Sequence, residues 1–161
     1  GPTVMMGYLH HPEETAQTLQ THEDGLTWVH TGDLGYMDTD GLLFLEGRIR
    51  RIYVTSSENQ PAKIFPGMIE SVLCGVDGVS DCTVAGRRMK GSACYYEPVA
   101  FILPSGSMPQ EALAKRLDAI CMERLPGYMR PAEYRFMIEF PHTPAGKVDY
   151  RELERLAAGD I

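Results

Sequence analysis

The sequence predicts an α+β fold, a small mixed sheet with flanking helices, preceded by a β-hairpin-rich stretch. Three observations lead there. Strand-like and helix-like segments both occur, but without the strict β-α alternation that builds a parallel doubly wound sheet. Leu113, Leu117, Ile120 and Cys121 fall at i, i+4, i+7 and i+8, the spacing of one helix face. In the first third, Asp40-Gly41 supplies turn chemistry between two apolar runs, as a hairpin requires.

The elements follow in order. Residues 3–6 form a β-rich run closed by Gly7-Tyr8. Residues 12–19 read as a helix, with Pro12 in the first turn and Glu13 and Glu14 favourable at its N-terminus. Residues 26–30 read as a strand, and 35–38 with 41–46 as the hairpin. These first elements carry too few apolar residues for a core of their own. A second unit starts near Arg50. Residues 52–54 read as a strand, the polar stretch 56–62 as a loop, and 66–73 as a helix opened by Pro66 and closed at Gly75. Residues 81–87 and 98–103 are strands expected to pair. Pro104-Ser105-Gly106-Ser107 breaks the chain before a helix over 109–125, which Pro126-Gly127 stops. A strand over 133–138 and a helix over 150–158 complete the pattern.

Composition narrows the function classes. A chain of 161 residues is one ordinary domain, or a small domain plus part of another. Its hydrophobic share of 43% and charged share of 23% are those of a globular protein. A formal charge of -7 argues against nucleic acid, which needs a basic footprint. No apolar run is long enough to span a bilayer. The opening Gly-Pro-Thr has no basic and then apolar leader, and Gly1-Pro2 is read as native sequence whose upstream part is missing. Cys74, Cys82, Cys94 and Cys121 lie among apolar neighbours without metal-ligand spacing, which reads as core or half-buried thiols in a reducing cytoplasm. The five histidines show no zinc pattern, so no metal site is expected from this chain.

Four groups carry candidate chemistry. Asp33 stands in Thr31-Gly32-Asp33-Leu34-Gly35, where two glycines let a ligand approach and a carboxylate can accept from both hydroxyls of a ribose. The plain alternative is a turn aspartate. Arg48 follows Gly47, and its fork of donors suits ribose oxygens or phosphate; a solvated arginine beside Arg50 and Arg51 is the alternative. Lys147 stands in Thr143-Pro144-Ala145-Gly146-Lys147-Val148-Asp149, a glycine-containing turn that enters a helix. A surface lysine is the alternative, although a cation opposes the helix dipole there. Arg87, Arg88 and Lys90 form a short basic cluster at a strand end, suited to phosphate groups or to a solvated edge.

The order of Gly1-Pro2-Thr3-Val4-Met5-Met6-Gly7-Tyr8, Thr31-Gly32-Asp33-Leu34-Gly35, Gly47-Arg48-Ile49-Arg50-Arg51-Ile52 and the Lys147 segment resembles the C-terminal part of an AMP-forming adenylating enzyme. That superfamily holds acyl-CoA synthetases, adenylation domains of nonribosomal peptide synthetases, and firefly luciferase. The resemblance implies that residues 1–49 end a large nucleotide-binding N-terminal domain and that residues 50–161 are a mobile C-terminal lid. It implies a ligase that joins a carboxylate to ATP as an acyl-adenylate and then passes the acyl group to CoA with release of AMP. Asp33 and Arg48 would contact the ribose of the nucleotide. Arg50 falls at the hinge, where the family usually has Asp or Lys, and Arg87, Arg88 and Lys90 would be placed to meet the phosphates of CoA. Lys147 would bridge the carboxylate and the α-phosphate, stabilising the charge that builds there. Mg²⁺ would be held mainly by the missing N-terminal domain, without which the chain is expected to be inactive.

One stretch departs from the pattern. Residues 56–62 appear as a longer loop without the family's glycine, ahead of a matching helix start at Pro66-Gly67-Met68-Ile69-Glu70. That loop borders the thiol-acceptor tunnel in the family. Two other readings therefore stand beside the CoA ligase: a peptide-synthetase adenylation domain that loads a carrier protein, and a non-catalytic lid module that binds a partner. The chain's end soon after Leu156 favours a free-standing ligase over the first of these.

Overall fold

The computed structural model describes residues 3–159. The chain divides into two compact units, Gly1–Arg50 and Arg51–Ile161.

In the first unit, helix α1 (Pro12–Thr18) has Pro in its first turn, with Glu13 and Glu14 beside it. Strand β1 (Leu19–Thr21) pairs antiparallel with β2 (Thr27–Val29). Strand β3 (Asp33–Met37) pairs antiparallel with β4 (Leu43–Arg48) around the expected Asp40-Gly41 turn. There, Asp38 Oδ1 accepts from the backbone N–H of Asp40 and Leu42. Two differences from the sequence reading stand out. Residues 4–8 form no strand, and β1 is a strand that the helix expected over 12–19 had partly absorbed. Nothing at residues 3–8 pairs with a neighbour to make a ladder, and β-rich composition alone does not supply one. No described residue of this unit is buried, in keeping with its shortage of apolar residues.

The second unit has a two-sided core. Strands β7 (Val79–Arg88) and β8 (Tyr96–Pro104) are antiparallel, and β9 (Glu133–Phe136) lies parallel to β8, giving a mixed three-stranded sheet. Successive side chains alternate across it. Cys82, Val84, Ala100 and Ile102 face α2 (Pro66–Cys74) and α3 (Gln110–Arg124), meeting Ile69, Leu73, Leu113, Leu117 and Cys121. Ala85, Val99 and Phe101 face the other way, onto Leu153 and Ala157 of α4 (Tyr150–Ala158). The α+β architecture with a small mixed sheet and flanking helices is thus the observed one.

Before the sheet, β5 (Tyr53–Ser57) pairs with β6 (Gln60–Ile64). This corrects the loop expected over 56–62. The pairing Ser57↔Gln60 leaves only Glu58 and Asn59 as the turn, both at positive φ (50° and 64°). Such a primed two-residue turn matches the twist of a hairpin, and Asn accepts the left-handed conformation more readily than most residues. Glycine is therefore dispensable there. The thiols also differ from expectation: Cys82 and Cys121 are buried, but Cys74 and Cys94 are exposed.

Candidate functional site

The first unit brings two of the predicted residues together. Asp33 opens β3 and Arg48 closes β4, and the register pairs them directly. Arg48 Nε donates to Asp33 Oδ1 at 2.9 Å, and Arg48 Nη1 donates to the carbonyl of Thr31 at 2.8 Å. Thr31 Oγ1 accepts from the Asp33 N–H at 3.2 Å, and the Gly32 carbonyl accepts from the Ile49 N–H at 2.9 Å. Gly32 sits at φ +74°, a left-handed bend that most residues avoid and that turns the chain into β3. The result is an exposed carboxylate and guanidinium held side by side at one end of a ribbon. Such a pair can take the two hydroxyls of a sugar from one side and a neighbouring oxygen from the other.

Arg50 lies in the 3₁₀ turn Ile49–Arg51, exposed, at the point where the chain passes from one unit to the next.

In the second unit, Lys147 is exposed on a turn between β9 and α4. The turn is tightly braced. Gly146 N–H donates to the Thr143 carbonyl at 2.8 Å, and Thr143 N–H donates to the Lys147 carbonyl at 2.7 Å. Thr143 Oγ1 accepts from the Lys147 N–H at 3.3 Å, and His142 bridges antiparallel to Val148. Gly146 adopts φ +74°, a left-handed conformation that glycine takes without cost and that closes the turn. Two residues on, Asp149 caps α4: its Oδ1 accepts from the N–H groups of Arg151 and Glu152 at 3.1 and 3.2 Å. Lys147 is therefore carried on a hydrogen-bonded turn just ahead of a capped helix.

The basic cluster separates into three environments. Arg87 is engaged: its Nε donates to Glu97 at 2.8 Å and its Nη1 pairs with Glu133, which also receives Arg135 at 2.6 Å. Burial works against the Arg87 charge, but bonding to Glu97 and Glu133 outweighs it and holds the guanidinium firmly protonated. Hydrogen bonding from Arg135 pulls the Glu133 carboxyl below its usual range; burial opposes this, and Arg87 adds to the lowering. Arg88 lies over the Tyr96 ring at 5.7 Å and is exposed, as is Lys90. Together with Met89, Glu97 and Ala158 they line a groove of about 630 Å³.

A network that the sequence reading missed joins the start of the second unit to α4. Arg51 pairs with Glu70 of α2, and its guanidinium stacks 4.0 Å from the centre of the Tyr150 ring, the first residue of α4. Glu70 Oε1 also accepts from the Val84 N–H at 2.8 Å and from Thr83 Oγ1 at 3.1 Å. Tyr53 donates its hydroxyl to Glu154 at 2.8 Å. Burial, chiefly, pushes the Tyr53 hydroxyl well above its ordinary range. The only signal in the sequence was the placement of Glu70 at the start of a helix. Its partners lie between 13 and 19 residues away, and only the folded chain brings them together.

Among the described residues no group of three or more His, Cys, Asp or Glu is placed to hold a metal ion, and no helix is long and apolar enough to cross a membrane.

Residues 68–147, ending on Lys147, match the AMP-binding enzyme C-terminal domain family. The chain is 36% identical over 157 residues to a 2-succinylbenzoate–CoA ligase of Geobacillus kaustophilus, covering 97% of this chain and 29% of that enzyme. It is 33% identical to the fatty acid–[acyl-carrier-protein] ligase ScoC of Streptomyces coeruleorubidus, over 99% of this chain and 28% of the relative. The crystal structure of the anthranilate CoA ligase AuaEII in complex with anthranoyl-AMP superimposes with a TM-score of 0.77 at 28% identity, over 98% of this chain and 29% of that one. The chain thus spans under a third of the length of the relatives it matches.

Proposed function

Because this chain belongs to the AMP-forming adenylating enzymes as their C-terminal part, we propose that it is the lysine-bearing lid, with the adjoining end of the nucleotide-binding domain, of an ATP-dependent carboxylate–CoA ligase. The observation that carries the reading is Lys147: an exposed ammonium on a braced turn, just ahead of a capped helix, at the end of the family match. In adenylate formation a carboxylate attacks the α-phosphorus of ATP, and negative charge gathers on both. A cation brought between them on a hydrogen-bonded turn offsets that charge at the moment it develops. Asp33 and Arg48 would orient the nucleotide through its ribose, and Arg50 would be the pivot about which the second unit turns between the half-reactions.

The remaining parts belong to a larger N-terminal domain: the acyl pocket, the pyrophosphate site and most of the Mg²⁺ ligands. In the second step Arg88 and Lys90 are the cations left for the phosphates of CoA, since Arg87 is already taken by Glu97 and Glu133. A second acceptor has a specific observation behind it. The relative ScoC acts with an acyl-carrier protein, and an exposed basic edge suits the acidic surface of such a carrier as well as a nucleotide.

The test uses the complete gene product. Carboxylates of the aryl and fatty acid classes are offered with ATP, and AMP release is followed with CoA or with a phosphopantetheine-bearing carrier. The reading requires carboxylate-dependent pyrophosphate exchange by the complete protein and none by residues 1–161 alone. Exchange catalysed by this chain by itself would overturn it, as would a complete protein that forms no adenylate from any class.

A further inference from the structure

Cys74 and Cys82 face each other across the junction of α2 and β7, with their Sγ atoms 2.9 Å apart. Cys74 is the last residue of α2 and is exposed, while Cys82 is buried in the sheet at 6% exposure. The two elements are held together by the core around them, through Ile69 and Leu73 on the helix and Val84 on the strand. A disulfide needs its sulfurs about 2.05 Å apart, so closing this pair takes a movement of about 0.9 Å, within the reach of small χ adjustments. The two residues are separated by eight positions, with Gly78 at φ +103° turning the chain back between them.

We propose that Cys74 and Cys82 form a reversible oxidation site for a small peroxide, closing to an intramolecular disulfide. Cys74, the exposed residue of the two, meets the oxidant first. The Cys74 thiolate attacks one peroxide oxygen; an S–O bond forms, the O–O bond breaks, and hydroxide leaves. Cys82 then attacks the Cys74 sulfenic acid; the S–S bond forms, the S–O bond breaks, and the leaving hydroxide takes the Cys82 proton as water. The two sulfurs are oxidised and one peroxide is reduced to two waters. Burial, and then the neighbouring Cys74, push the Cys82 thiol far up, which keeps it protonated until its partner is activated. Cys82 Sγ also lies 3.4 Å from the Glu70 carbonyl, a contact that aims its S–H while it is reduced. The site is independent of the ligase reading.

The experiment is peroxide treatment of the chain, followed by alkylation and tryptic mass spectrometry. Lys63 and Arg87 bound a single peptide, residues 64–87, that holds both cysteines. The expected result is that both cysteines of this peptide resist alkylation together, that the peptide is lighter by two hydrogen atoms apart from any Met68 sulfoxide, and that dithiothreitol restores both thiols. Cys74→Ser, at an exposed position, should leave Cys82 fully alkylatable after the same treatment. Cys82→Ser should leave Cys74 as a trappable sulfenic acid. The proposal is overturned if Cys74 in the wild type accumulates sulfinic or sulfonic acid, if it cross-links to Cys94, or if Cys94 oxidises while the pair stays reduced.

Discussion

Replacing Glu70 with alanine tests whether the Arg51 network holds the second unit together. The two side chains are each 18% exposed, so the guanidinium is largely out of water. Glu70 is its charge partner and also the acceptor for the Val84 N–H and the Thr83 hydroxyl. Arg51 Nε already has no hydrogen-bond partner. Alanine would strand a buried cation and two donors at once. Removing one partner of a buried pair typically costs about 3–5 kcal/mol; the residual exposure and the Tyr150 ring beneath the guanidinium put the expectation near the lower end, about 3 kcal/mol. With a urea dependence of about 1.5 kcal/mol/M for a unit of this size, the unfolding midpoint falls by about 2 M. The double variant Arg51→Met with Glu70→Leu removes both charges and should recover more than half of the loss, since the penalty is chiefly that of the orphaned charge. Urea unfolding followed by circular dichroism measures both. A midpoint shift under about 0.5 M for Glu70→Ala, or a double variant worse than the single, would refute the reasoning.

Three further outcomes are expected. Asp149→Ala removes the cap of α4 and should destabilise the second unit by about 1 kcal/mol, read by the same unfolding assay. Gly86→Ala places a methyl 2.5 Å from the Tyr53 ring, which is anchored by Glu154 and cannot swing freely, so overpacking of about 1–3 kcal/mol is expected from thermal or urea unfolding. The Glu133 carboxyl is held below its ordinary value of 4.5 by Arg135 and Arg87. Its contribution to stability is therefore complete above that value and is lost as pH falls through the lowered one. Glu133→Gln should flatten that part of the acid limb in a pH series of unfolding midpoints, while leaving the neutral-pH slope unchanged.

The parts of the fold that were legible in the sequence share a physical cause. The helix over 110–124 shows one apolar face, the helix over 150–158 is bounded by its Asp149 cap and by Gly159, and β7 with β8 alternates apolar residues across both faces. Each carries its own local signal. The β5–β6 hairpin was not legible because its turn is made by Glu58 and Asn59 without a glycine, and because polar Ser56, Ser57 and Gln60 imitate a loop. Residues 3–6 failed in the opposite sense: the composition favoured a strand, but among the described residues no strand pairs with them. At the candidate site, the glycines beside Asp33, Arg48 and Lys147 marked these residues as candidates in the sequence, and the hairpin register sets Asp33 against Arg48. Arg51, Tyr53, Glu70 and Glu154 were not, because their meaning lies in contacts spanning up to 101 positions along the chain. For Arg87 the sequence showed a cation but not the two carboxylates that occupy it.

The most direct test of the account is Lys147→Ala in the complete protein, with the two half-reactions measured apart. Carboxylate-dependent pyrophosphate exchange should fall at least about a hundredfold, the scale on which a positioned charge acts in a transition state. Transfer of the acyl group from a supplied acyl-adenylate to the thiol should persist, because Lys147 is assigned to the first step alone. Undiminished pyrophosphate exchange, or an equal loss of both half-reactions, would contradict the assignment.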